Sequence, residues 1–190
     1  MHKYALVAAI AIAVFASLVS EASAKLIKAT VSGPVSASDI TSGACPDAVD
    51  ANGTDTYDSM CPTGEDCKCL TASSLVVSGG FGKGTAVLTA TESDNPTVVT
   101  GSSASACSPA FAVLTLSIKA KGKVPASTQT LNALGAICGS AGATTVNVLG
   151  GFTINASNSS PPASGSGIFN GTVSTSGQVS ILITGLITNP

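Results

Sequence analysis

The chain has 190 residues, 44% hydrophobic and only 9% charged, with eight Lys plus Arg against ten Asp plus Glu for a net charge of −2. That balance lacks the basic excess by which nucleic-acid binders neutralise phosphates, so DNA and RNA are not expected partners. The single histidine is His2, and the sequence holds no Arg and no Trp. Ser-His-Asp and Cys-His catalysis therefore lack their base throughout the body of the chain.

Residues 1–24 read as a secretory signal peptide: His2 and Lys3 open it, an apolar run spans Ala5 to Val19, and Ala22-Ser23-Ala24 offers small residues for cleavage. The rival reading is a membrane anchor, but the run falls short of the roughly 20 residues that cross a bilayer. Cleavage after Ala24 would leave residues 25–190 as a single secreted domain, periplasmic or extracellular, with no transmembrane segment.

Residues 41–69 form an acidic, cysteine-rich stretch without helical or strand period. Asp47, Asp50, Asp55, Asp58, Glu65 and Asp66 alternate there with Pro46, Gly53, Pro62 and Gly64, the composition of a long loop or cap. All six cysteines, Cys45, Cys61, Cys67, Cys69, Cys107 and Cys138, lie beyond the signal segment. An even number in an exported chain argues for three disulfides. Zinc is the competing reading for Cys61, Cys67 and Cys69, but the paired Cys knuckles and the His of such sites are missing. Cys67 and Cys69 are too close to bond each other without strain. Cys107–Cys138 is the favoured pair because both flank predicted strands, which leaves the other four to staple the amino-terminal loop.

Strand signals then follow in order. Leu26–Val31, Leu70–Ser78, Gly84–Thr91, Thr97–Thr100 and Ala110–Lys119 are rich in Val, Thr, Ile and Phe. In the last of these, Phe111, Val113, Thr115, Ser117 and Lys119 alternate against Ala112, Leu114, Leu116 and Ile118, so one face can meet solvent. Thr130–Cys138 reads as a strand, although Leu131, Leu134 and Ile137 also fit one helical turn. Thr144–Asn155 is interrupted at Gly150-Gly151, where a bulge or sharp bend is expected. Gly167–Ser174 and Gly177–Thr188 form the clearest hairpin, with Val179, Ile181, Ile183 and Ile187 on one face. From Val124 to Pro190 there is no charged side chain. Short strands with regular turn signals indicate an all-β fold, an antiparallel β-sandwich or a small β-barrel of about eight strands, with a disulfide-stapled amino-terminal loop region.

Several constellations evoke chemistry. Gly79-Gly80-Phe81-Gly82-Lys83-Gly84-Thr85 resembles a phosphate loop only superficially, since Gly84 separates Lys83 from Thr85 and no helix follows; a hairpin turn is the better reading. Asp50, Asn52, Asp55 and Asp58 are a hard-oxygen set that suits calcium, the one cofactor worth considering. The spacing departs from an EF-hand loop, and a solvated acidic loop is the preferred reading. Lys119, Lys121 and Lys123 would share one strand face, where lysines discourage edge pairing. Glu92 and Asp94 are placed in a turn beside Pro96, and acid–base groups are otherwise scarce, which favours a non-enzymatic role.

The leading expectation is a secreted, disulfide-stabilised, non-enzymatic domain that acts as an extracellular binding or structural component. Free strand edges would offer a route to self-association or to a surface partner. The second is a barrel that carries a small apolar ligand, and the third a barrel isomerase or lyase. An apolar cavity favours the second reading; a buried carboxylate or Tyr within it favours the third.

Overall fold

A computed structural model describes residues 23–36, 39–43, 67–93, 97–99, 105–140, 143–154, 156–174 and 176–188. Among them run ten strands: β1 (Lys25–Pro34), β2 (Ile40–Gly43), β3 (Cys67–Gly79), β4 (Gly84–Ser93), β5 (Thr97–Val99), β6 (Ser105–Ile118), β7 (Ser127–Gly139), β8 (Thr145–Ile154), β9 (Ser164–Ser174) and β10 (Gln178–Thr188). The barrel strands alternate buried with more exposed positions, the pattern of a wall with one face buried.

The strands are ordered β1-β10-β9-β8-β7-β6-β4-β3, and β3 pairs back onto β1, so the sheet closes on itself. The result is an eight-stranded antiparallel β-barrel. Of the two architectures open to the sequence, the barrel is the one adopted. Apart from β2 and β5, neighbours around the barrel are also neighbours along the chain, as antiparallel hairpins allow. Closure rests on the most distant pairings, Lys25↔Ile187 to Pro34↔Gln178 and Ala29↔Gly79 to Ser32↔Val76. It also removes the edges from these eight strands. Only β2, beside β3, and β5, beside β6, have a single partner among the described residues.

Among the described residues, the inward faces fill one end, the closed end, and leave space at the other, the mouth. At the closed end Ile27, Leu75, Leu116, Leu131, Ile183 and Ile187 are almost wholly buried, each contributing about 1.5–3 kcal/mol. Phe81, from the β3–β4 turn, joins that core. The turn is the hairpin expected at Gly79–Thr85: Gly82 N–H donates to the Gly79 carbonyl, and both glycines have positive φ (107° and 109°) that a side chain would strain. Thr128 and Ser160 exchange two backbone hydrogen bonds, tying the loop after β8 across the same end.

Leu131–Ile137 is strand, as expected of Thr130–Cys138, and not the alternative helical turn, because β7 is sandwiched by continuous ladders to β6 and β8. Three sequence expectations are revised. Gly150-Gly151 carries no bulge, since both ladders of β8 run through it without a slip; the register shift of this sheet lies instead between Ala72 and Leu75 in β3. Lys119, Lys121 and Lys123 do not share a strand face: β6 ends at Ile118, and the lysines sit exposed in the β6–β7 turn, where Lys121 and Val124 exchange backbone hydrogen bonds. The two ends of the 41–69 stretch are strand, with Thr41 opposite Cys69. The disulfide-stapled loop expected between them lies outside the described residues.

Candidate functional site

The space at the mouth of the barrel is set by a gradient of side-chain size. On β6 the inward series runs Ala110, Ala112, Leu114, Leu116, Ile118, from small at the mouth to large at the closed end. Ladder registers set Ala90, Ala112 and Ala133 side by side across β4, β6 and β7, followed by Phe152 on β8 and then Gly167 and Gly185 on β9 and β10. Three alanines in a row take little volume from the interior. Opposite them, aromatic rings lie against glycines. A Cβ on Gly167 or Gly185 would come within 2.7 or 2.8 Å of the Phe152 ring, and one on Gly150 within 2.7 Å of Phe169. These are the close approaches for which Gly150 is spent, in place of the expected bulge.

The space left is a cavity of about 190 Å³ at the mouth, lined by Lys68, Leu70, Ala90, Glu92, Ile137 and Val146 among others. Two smaller spaces continue toward the closed end. One of about 60 Å³ shares Leu70, Ala90, Ile137 and Val173 with the mouth cavity. One of about 40 Å³, between Leu88, Leu114, Leu131 and Phe152, shares Phe169 and Ile181 with its neighbour. The lining is apolar except at the rim. There Lys68 and Glu92 stand directly opposite each other in the β3–β4 ladder. Ser174 also reaches the rim, but its hydroxyl is engaged by Ser176 at 2.6 Å in the β9–β10 turn.

Cys107 and Cys138 face each other across β6 and β7 and form a disulfide, with Cα atoms 4.1 Å apart. The pair singled out from the sequence is the pair that forms. It clamps the wall beside Ile137, at the mouth. Cys69 is also disulfide-bonded, and no cysteine is free among the described residues. Cys45 and Cys61, the calcium candidates Asp50, Asn52, Asp55 and Asp58, and Asp94 lie outside the described residues, as does the side chain of Cys67. Among the described residues no group of three or more His, Cys, Asp or Glu could hold a metal, and no helix is long and apolar enough to cross a membrane.

Glu92 is the site residue that the sequence misplaced. It belongs to β4, not to the turn before Pro96, and points into the cavity rim. Lys68 was hidden in the same way, within a stretch read as loop. The missed signal was the alternation Lys68, Leu70, Ala72 on one face, continuous with the strand called by its Val and Ser residues. The chain matches no protein-family model, no curated protein and no solved structure.

Proposed function

We propose that this protein is an exported, non-enzymatic binding domain that holds a slender apolar molecule inside its barrel. The observation that carries the reading is the apolar cavity at the mouth and its two narrowing continuations. Ligand sites are concave, mostly apolar and marked by a few placed polar groups, and Lys68 with Glu92 at the rim supplies those groups. The taper toward Phe152 and Phe169 suits a narrow chain better than a fused-ring system. An enzymatic role has less support: among the described residues the lining contains no Tyr, and the one carboxylate there, Glu92, is half-buried at the rim rather than enclosed.

Diphenylhexatriene, an uncharged rod-like fluorophore, tests this. Titration into the full chain is expected to give saturable fluorescence at one probe per chain, displaced by 1-decanol. A linear, non-saturating rise would overturn the proposal.

A second reading, assembly through the outer wall, draws on a separate observation. Leu134, Ile168 and Leu186 point outward on β7, β9 and β10, each more than half exposed, on a wall that carries no charge from Val124 onward. Exposed apolar patches of this kind mark interaction surfaces.

A further inference from the structure

Between the two inner spaces, of about 60 and 40 Å³, lies a neck made by the residues that line both: Leu88, Ala112, Ala133, Phe169 and Ile181. Ala112 and Ala133 stand side by side in the β6–β7 ladder and leave their side of the neck clear. Phe169 narrows the other side. Its strand, β9, lies four strands from β4 either way around the barrel, so Phe169 faces the wall that carries Leu88. The ring has little room to withdraw. It already lies over Gly150, its partner in the β8–β9 ladder, where even a Cβ would come within 2.7 Å of Cζ. Beyond the neck the described lining is wholly apolar, and Leu114 and Leu131 lie at its inner end. That innermost space of about 40 Å³ is only a few times the roughly 10–15 Å³ of one water-sized sphere, which suits the tip of a single alkyl chain. A polar group entering first would be left without a partner, so the apolar end leads. Resting on the proposal that the cavity binds a slender apolar molecule, we infer that its ligand carries an unbranched alkyl chain, and that Phe169 selects this chain against isoprenoid ones, whose side methyls meet the ring at the neck. A close-packed wall resists an added methyl because its neighbours must leave their rotamers to admit it.

The experiment compares 1-decanol with its isoprenoid isomer tetrahydrogeraniol by titration calorimetry on the full chain. The two alcohols share head group and carbon number, so they leave water with nearly equal ease and differ mainly in width. The unaltered chain should prefer 1-decanol by roughly tenfold or more, the penalty of one overpacked methyl. Phe169→Leu shortens the side chain at the neck and should bring the isomer to within about threefold of 1-decanol, since the crowding is relieved. Leu88→Ala opens the same neck from the opposite wall and should do likewise, so the test does not hang on one variant folding. Ile137→Ala enlarges only the two outer spaces and should leave the preference in place. A merely structural role for Phe169 would weaken both alcohols alike and keep their ratio. Equal affinities in the unaltered chain, or a ratio unchanged in both neck variants, would overturn selection by Phe169 while leaving the cavity reading standing. If neither alcohol binds the unaltered chain, the cavity reading fails instead.

Discussion

Gln129 enters the closed end of the barrel from β7 at 1% exposure, and neither its Oε1 nor its Nε2 meets a hydrogen-bond partner among the described residues. It is a polar residue at an inward position, between Leu116 on the neighbouring strand and Leu131 two residues on. The sequence hid it because the strand was read from Thr130, so the alternation Gln129, Leu131, Ala133 was not extended backward. The size gradient on β6 was written in the sequence, as Ala110 and Ala112 before Leu114 to Ile118. What it meant was not, because a cavity depends on which residues of β4 and β7 stand alongside. An unpartnered buried amide costs about 1–3 kcal/mol, whereas an apolar side chain of the same shape incurs no such penalty. Gln129→Met is therefore expected to stabilise the protein by about that amount, read as a higher urea midpoint at unchanged slope. A lower midpoint would show that the amide has a partner in solution.

At the scale of elements, β6 and β7 share the longest ladder, Ala106↔Gly139 to Ile118↔Ser127, and the Cys107–Cys138 disulfide locks its mouth end. Strand identity was legible almost throughout, since β-branched and aromatic residues mark β4, β6, β9 and β10 plainly. The inward face of β10 was legible too: Val179, Ile181, Ile183 and Ile187 are buried, and Ser180 is exposed. Elements failed where local composition and tertiary pairing disagree. Gly150-Gly151 has a breaker's composition but stays in register because Gly135 and Phe169 need the room. The charged start of β3 looks like loop, yet β2 and β4 pair with it. The disulfide spans a sequence separation of 31, for which restriction of the unfolded chain implies roughly 2–4 kcal/mol. Replacing Cys107 and Cys138 together by Ser should lower the urea midpoint by a corresponding amount, with the largest gain in amide exchange near Ile137 and Val148. An unchanged midpoint would mean that β6 and β7 need no clamp.

For the whole molecule, sandwich and barrel could not be separated from sequence because both present the same alternating strands and turns. The difference lies in the non-local pairings of β1, with β10 on one side and with β3 on the other. Closure creates an interior, and small residues at one end leave part of it empty. It also turns outward a wall without charge between Val124 and Pro190, the feature behind the competing reading of an assembly surface. The measurement that decides between interior and outer wall is diphenylhexatriene affinity in two variants, Ala90→Leu, which fills the mouth cavity, and Ile168→Ser, which breaks the outer apolar face. The account predicts that Ala90→Leu weakens binding by at least roughly tenfold, about 1.4 kcal/mol, with thermal stability retained, while Ile168→Ser binds as the unaltered chain does. Full affinity in Ala90→Leu together with its loss in Ile168→Ser would contradict it and place the probe on the outside of the barrel.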